Sequence, residues 1–196
     1  MKLESLKAGI LTIGNEVLDG IVLDTNTNWL EQQLVQLGVE IRRVVSVRDE
    51  VEEIGEGLNF LMKDCDVIIT SGGLGPTHDD MTLYSIGKAL GRELALDEGG
   101  LAIVARQYKM LHGRGIVASP DLTDSRKKMA MLPQGASALD NTIGGAPGVM
   151  LHEGNATIFC LPGVPAELKD IWERGVKQWI LNVLFMKRMK GLPQLS

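Results

Sequence analysis

Apolar runs and one-sided apolar stripes alternate along the chain. Lys7 to Ile13 (KAGILTI) is apolar on both faces, the pattern of a strand in a parallel sheet covered on both sides. From Asn28 to Leu37, the residues Trp29, Leu30, Leu34 and Leu37 fall on one helical face, and Gly38 stands where a helix stops. Glu40 to Val47 reads as a second strand. Asp49 and Glu52 form a capping-box pattern that opens a helix through Met62. Val67 to Thr70 predicts a short buried strand, and Thr82 to Leu90 a helix that Gly91 ends. Strand, helix, strand, helix, strand, helix is the start of a doubly wound α/β fold.

The middle of the chain is less regular. Asp97 can cap a helix running to about Leu111, and Leu122 to Met129 reads as a short helix. Leu139 to Gly148 is a loop rich in glycine and proline. Val149–Leu151 and Ala156–Leu161 flank HEGN, a hairpin turn. PGVPAEL opens a last helix, with prolines suited to a first turn. Trp172 and Trp179 are seven apart on one face and read as core or subunit packing. The basic stretch MKRMKGLPQLS reads as a frayed end, which sets a single domain over 1–180 and a tail over 181–196.

Composition narrows the class. With 196 residues and 44% hydrophobic content the chain can bury one sizeable core. A formal net charge of −5 argues against a nucleic-acid-binding face. No run of 18 apolar residues is present, so no membrane span is expected, and the apolar N-terminal patch leads into a strand rather than reading as a signal peptide. Cys65 and Cys160 stand far apart in no metal-ligand spacing and read as small buried hydrophobes in a reducing compartment, so a cytoplasmic protein is expected.

In open parallel sheets, ligands bind beyond the carboxyl ends of the strands. Three special loops follow apolar strands here: GNEVLDGIVLDTN, SGGLGPTHDD and PGVP. Parallel strands would bring all three to one edge. Gly72, Gly73 and Gly75 allow positive φ and leave no side chain to block a ligand, and Ser71 and Thr77 add hydroxyl donors. The helix from Thr82 offers an N-terminus that favours a phosphate. A tight strand-to-helix turn would need the same glycines, and both readings stand at this level. A Walker A loop is excluded, because Pro76-Thr77-His78 stands where Gly-Lys-Ser/Thr is required; a Rossmann spacing fails because position 78 is His78.

Asp79 and Asp80 follow the glycines at once, and Asp24 and Glu16 approach the same edge from the first loop. One of Asp79 and Asp80 can cap the helix start. Carboxylates beside a phosphate repel it unless a divalent cation intervenes, and Mg²⁺ binds through one or two carboxylates plus substrate phosphates. The glycines would then hold the anion, and Asp80, Asp79 and Asp24 the metal. His78 is open to a phosphate contact, to acid–base work or to a plain loop role; His112 and His152 fall at a helix end and a turn. Lys127 and Lys128 read as a solvated face and Arg126 as within reach of an anion. The run Gly144-Gly145-Ala146-Pro147-Gly148 is either a second close-approach wall or a turn.

The stretches IGNEVLDGIVLDTNTNWL, TSGGLGPTHDDMT, SRKKMAMLPQGA, IGGAPGV and LPGVPAEL, in this order over roughly residues 8 to 175, resemble the molybdopterin-binding domain superfamily of MoaB/MogA type. Within it the chain is most similar to the N-terminal domain of CinA-type proteins and to the corresponding domain of FAD synthase. The resemblance implies a three-layer α/β/α fold with a mostly parallel sheet and a small β-hairpin region, usually assembled as a homo-oligomer, a dimer or trimer. It places functional acids at Asp24 and Asp80. Ligand contacts are expected from Gly14, Glu16, Thr25, Asn26, Ser71, Gly72, Gly73, Gly75, Pro76, Thr77, Gly145, Pro147, Pro162 and Gly163.

For the molybdopterin enzymes the resemblance implies Mg²⁺ and pterin-phosphate binding or adenylylation, and for CinA-type relatives metal-dependent cleavage of a pyrophosphate bond as in ADP-ribose. The acid at Asp79, where molybdopterin enzymes usually carry a basic residue, favours the CinA-like branch. No stretch corresponds to the nicotinamide-mononucleotide deamidase domain or to the synthase domain of those relatives. Two expectations therefore stand: a nucleotide pyrophosphatase, or a molybdopterin-binding protein of molybdenum cofactor biosynthesis without turnover.

Overall fold

The computed structural model of the chain describes residues 5–190. Its strands are β1 Lys7–Ile13, β2 Glu40–Val47, β3 Val67–Ser71, β4 Leu94–Leu96, β5 Met131–Pro133, β6 Ser137–Leu139, β7 Gly148–Glu153 and β8 Ala156–Leu161. Six of them form one sheet in the order β2-β1-β3-β8-β7-β6; β4 and β5 pair separately as a small antiparallel ribbon. The β2, β1, β3 and β8 strands run parallel, and β7 turns back against β8 and β6 as the expected hairpin region. The helices are α1 Asn15–Leu18, α2 Thr25–Gln36, α3 Val51–Met62, α4 Thr82–Ala89, α5 Glu98–Gly113, α6 Asp124–Lys128, α7 Pro165–Ile171 and α8 Lys177–Lys190, the last two joined by a π-helical turn over Trp172–Val176.

Side chains alternate across the sheet with the period of two that a pleated strand imposes. Leu11, Ile13, Ile68, Ile158 and Cys160 face one layer, where Ile54, Leu58 and Leu61 of α3, Ile86 of α4 and Val104 of α5 cover them. Ala8, Ile10, Val67, Ile69, Phe159 and Leu161 face the other, under Leu30 and Leu34 of α2 and Leu168, Ile171, Trp172, Val176 and Ile180 of the C-terminal helices. The result is the three-layer α/β/α arrangement with a mostly parallel sheet. Trp172 and Trp179 both pack into this second layer: Trp172 meets Trp29 edge-on at 5.8 Å, and Trp179 meets Phe159 at 5.3 Å. Both cysteines are buried and unpaired, and burial pushes the thiol of Cys65 up to about 11 and that of Cys160 to about 12.

Several boundaries differ from the sequence pattern for local reasons. The α2 helix begins at Thr25 rather than Asn28, because the Asp24 carboxylate accepts the Thr27 N–H and caps a polar first turn that an apolar stripe does not reveal. No capping box opens α3. Its N-cap is Glu50 with no side-chain bond, while Asp49 instead accepts the Asn15 N–H and Glu53 the Arg48 N–H. The loop after β1 contains the single helical turn α1. Residues 181–190 continue α8 beyond the boundary set at 180; residues 191–196 lie outside the described residues. Among the described residues no helix is long and apolar enough to cross a membrane.

Adjacent positions on α2 test this layering. Leu34 is fully buried and Val35 is 62% exposed. Leu34→Ala is expected to lower unfolding stability by about 2–5 kcal/mol, and Val35→Ala to change it by about 0.5 kcal/mol or less, in urea denaturation.

Candidate functional site

The parallel strands β2, β1, β3 and β8 place their carboxyl ends along one edge. Neighbouring strands lie about 4.8 Å apart, so these four ends span about 14 Å. From β1 the sheet continues to β2 on one side and to β3 on the other, a topological switch point where following loops part and leave a crevice. A cavity of about 560 Å³ opens there. Its walls come from Asp49 after β2, Gly14 and Glu16 after β1, Ser71 to Pro76 after β3, and Pro162 to Pro165 after β8.

The turn after β3 is built on close approach. Gly72 has φ +113°, and a Cβ there would lie 2.1 Å from the Ile13 carbonyl oxygen, so only glycine fits. Its N–H donates to Leu161 O at 3.0 Å, tying β3 to β8. Gly73 has φ +67° and packs against the Thr82 hydroxyl, which donates to Gly72 O. The N–H groups of Gly73, Leu74 and Gly75 donate to no group among the described residues. Successive free amides of this kind make an anion-binding concavity. The α4 terminus contributes less than its position predicts, because its first N–H, at Thr82, donates to Gly73 O. Its N-cap is Met81, and neither Asp79 nor Asp80 caps it.

One buried amide joins the loops. Asn26, in the first turn of α2, donates through Nδ2 to Ser71 Oγ at 3.0 Å and to Gly163 O at 2.8 Å. The carbonyl of Gly163 can only accept, which fixes the orientation of the amide. Asn26 therefore clamps the first-loop helix, the end of β3 and the turn after β8 into one wall.

Six carboxylates line the cavity, those of Glu16, Asp24, Asp49, Asp79, Asp80 and Glu167, and none of its lining residues is Lys, Arg or His. Asp80 accepts the Thr77 N–H at 2.8 Å and the Thr77 hydroxyl, and lies over Gly75, where a Cβ would come within 2.6 Å of its Oδ2. The third glycine of the turn thus makes room for Asp80. Asp24 accepts three bonds, from Thr27 N, Thr27 Oγ1 and Thr12 Oγ1. Asp79 is exposed and accepts no hydrogen bond from the described residues. Burial pushes the Asp49 carboxyl above the ordinary aspartate range; the Asn15 N–H opposes this, and the charges of Glu16, Asp80 and Asp79 add to it. Burial likewise raises Glu167, opposed by a hydrogen bond from Asn141, with no other charge bearing on it.

The cavity brings together Gly14, Glu16, Asp24, Thr25, Asn26, Ser71, Gly72, Gly73, Gly75, Pro76, Asp79, Asp80, Gly145, Pro162 and Gly163. It does not include Thr77, whose donors are taken by Asp80, or Pro147, whose place in the wall falls to Ala146. His78 lies exposed outside it. Arg126 stacks on the Tyr108 ring at 3.9 Å and donates to Ser119 O and Asp121 O, so its guanidinium is committed. Lys128, partly exposed, donates from its Nζ to Thr77 O and steadies the Asp79–Asp80 loop. Sequence reasoning missed Asp49, Tyr108, Met129 and Glu167 as wall residues. Asp49 could have been found from its position just past the second parallel strand; Tyr108 and Met129 carry no such signal.

Among the described residues, no three His, Cys, Asp or Glu side chains are grouped to hold a metal ion. The donor set therefore fits no all-protein cage. It fits a divalent cation that draws most of its shell from water and ligand phosphate, with Asp79 and Asp80 as the carboxylates that would hold it.

The family described as "Probable molybdopterin binding domain" matches residues 9–182. The chain belongs to the molybdopterin-binding-domain family. A solved structure described as the protein CinA with unknown function from Thermoplasma acidophilum shares this fold with a TM-score of 0.81 and 34% identity, covering 90% of this chain and 98% of that one. The tungsten cofactor synthesizing protein MoaB from Pyrococcus furiosus aligns with a TM-score of 0.61 at 20% identity, over 94% and 98% of the two chains, a likeness of fold. Protein PYRAB15930 of Pyrococcus abyssi is 45% identical over 165 residues, 84% of this chain and 66% of its own length. Protein TK1472 of Thermococcus kodakarensis is 41% identical over 182 residues, 92% of this chain and 72% of its own length. The chain thus spans about two thirds of the length of these curated relatives.

The burial of Asp49, with the acids around it adding to the effect, gives a pH prediction for this domain. A carboxyl raised in the folded state binds its proton more tightly there, so stability is gained as pH falls and lost as pH rises through the folded value. Asp49→Asn keeps an acceptor for the Asn15 N–H and removes the charge. It is expected to raise the melting temperature at pH 7, with the gain vanishing below the ordinary aspartate value of 3.8, read by thermal denaturation across pH.

Proposed function

We propose that this domain binds a phosphorylated heterocyclic small molecule, a nucleotide or a pterin, across the four strand ends and hydrolyses a pyrophosphate bond in it with a divalent metal. The single observation that carries the reading is the turn of free N–H groups at Gly73, Leu74 and Gly75 set beside carboxylates with no basic side chain in the wall. Amides alone would hold a phosphate; amides flanked by uncompensated acids hold one only with a counter-ion between them. A metal there would polarise a phosphoryl oxygen and neutralise the charge that develops on it.

The chain's own groups have separable tasks. The Gly73–Gly75 amides hold the phosphate in place. Asp80, oriented by Thr77, and Asp79 would together hold the metal, which would supply an activated water. Water adds to one phosphorus, the bond from that phosphorus to the bridging oxygen breaks, and two phosphate ends leave with release of a proton. Asp24 positions the wall through α2, since its carboxylate is engaged by three donors.

A second reading, molybdopterin binding without hydrolysis, is favoured by one observation: Asp24 is taken up as a helix cap, which leaves only Asp79 and Asp80 for the metal. We propose also that the domain assembles with copies of itself, in line with the exposure of Ile21 at 77% and Leu23 at 83% beside the cavity.

Incubation with Mg²⁺ or Co²⁺ and ADP-ribose, FAD or NAD is expected to release AMP, and Asp80→Asn to lower the rate by at least about 100-fold, or 2.7 kcal/mol of barrier. Turnover untouched by Asp80→Asn would remove Asp80 from the chemistry. No release from any substrate, with tight pterin binding, would leave the second reading.

A further inference from the structure

Tyr108 lines the cavity and has no task in the proposed chemistry. It is carried by α5 and keeps only 9% of its surface, which it turns to the cavity. The ring is held from two sides. The Arg126 guanidinium lies over one face at 3.9 Å, and Gly145 packs on the edge that carries the hydroxyl. A Cβ on Gly145 would come within 2.9 Å of Cε2 and 3.3 Å of Oη, so glycine at this lining position keeps that edge clear. The hydroxyl has no hydrogen-bond partner among the described residues, yet it is not one of the unpartnered polar atoms sealed from solvent. A phenol this deeply buried normally finds a partner for its O–H.

Two further donors stand with it. The N–H groups of Gly145 and Ala146, both in the cavity wall, donate to no group among the described residues. Glu167 belongs to the other side of this loop: a Cβ on Gly144 would meet its carboxylate, whereas one on Gly145 would meet Tyr108. The donor patch abuts the glycine turn. Leu74 of the turn shares one buried cluster with Tyr108, Met129 and Ala146, and Met129 lines both the cavity and a small hollow walled by Gly73 to Gly75.

The wall offers an anion no Lys, Arg or His, so every fixed donor in it is neutral. One set, the Gly73–Gly75 amides, can hold one phosphate. A pyrophosphate carries a second, whose oxygens need donors of their own. We propose that Tyr108 is a ligand-binding residue whose Oη–H donates to an oxygen of that second phosphate, beside the Gly145 and Ala146 amides. This rests on the reading of the cavity as a pyrophosphate site. It lets the domain tell a two-phosphate ligand from a monophosphate, whatever ring the ligand carries.

The test is calorimetric titration, with Mg²⁺ present, of inorganic phosphate, AMP, methylenediphosphonate and α,β-methylene-ADP. The last two join their phosphorus atoms through carbon, so they are not hydrolysed. Wild type is expected to bind each of them at least about tenfold more tightly than its one-phosphorus counterpart. Tyr108→Phe keeps the ring and its stack on Arg126. It is expected to lose about tenfold in affinity for both two-phosphorus probes and to stay within about twofold for phosphate and AMP. Its melting temperature without ligand is expected not to fall, because the hydroxyl gives up no bond in the free protein. Two-phosphorus binding unchanged in Tyr108→Phe, an equal loss for all four probes, or a lowered melting temperature overturns the inference. No advantage of the two-phosphorus probes in wild type also overturns it and leaves a single-phosphate site standing. Failure of wild type to bind any probe overturns both.

Discussion

The amide of Asn26 reaches from the first turn of α2 to Ser71 at the end of β3 and to Gly163 after β8. Each of those segments is a chain end leaving the sheet, and without a tie each would be free to move relative to the others. A buried amide that donates to both is expensive to lose, because two acceptors would then be stranded out of water. Gly72 reinforces the tie from below: its N–H joins β8 and its missing side chain lets β1 close against it. The cavity has a definite shape because these few contacts cross between segments more than 40 residues apart in sequence.

On that frame the electrostatics are unusual. The wall holds six acids and no base, yet it presents three free amides suited to an anion. Under the proposed reading a cation sharing the site would reconcile the two, and the acids differ in what they are free to do. Asp79 and Asp80 stand at the turn, Asp24 is consumed as a cap, and Glu167 follows β8 with its own amide partner. Lys128, which is basic and near, spends its charge on Thr77 O and holds the acidic loop rather than the ligand. Membership of the molybdopterin-binding-domain family accounts for the fold; this distribution of charge is particular to the cavity.

Much of this architecture is legible in the chain. The β1 and β2 strands run where their patterns place them, Lys7–Ile13 and Glu40–Val47; β1 is legible because a strand buried between two helical layers is apolar in an unbroken run, whereas β2, at the sheet edge, is largely exposed. Strand β3 and helices α4 and α5 lie within two residues of their apolar patterns at each end. The misreadings share a cause. Asp49 and Glu52 have the spacing of a capping box, but Asp49 found a nearer donor in Asn15, which tertiary folding brought to it from 34 residues away. Asp24 looked like a free acid because an apolar stripe starting at Asn28 hid the polar first turn in which Thr27 donates to it twice; its third donor, Thr12, is a neighbour only once α2 packs on β1.

Periodicity, glycine placement and the order of the loops were enough to specify an α/β sheet, the strand ends at which its special loops meet, and glycines at 72, 73 and 75 with acids beside them. These are local properties, set by backbone sterics and by which faces must avoid water, and they can be read one segment at a time. Which acids are free and which are spent, which N–H groups lack acceptors, and that Tyr108, Met129 and Glu167 complete the wall were decided only in three dimensions. A hydrogen bond depends on a partner within about 3 Å, and several that shape this site, such as those of Asn26 to Ser71 and Gly163, join residues far apart along the chain.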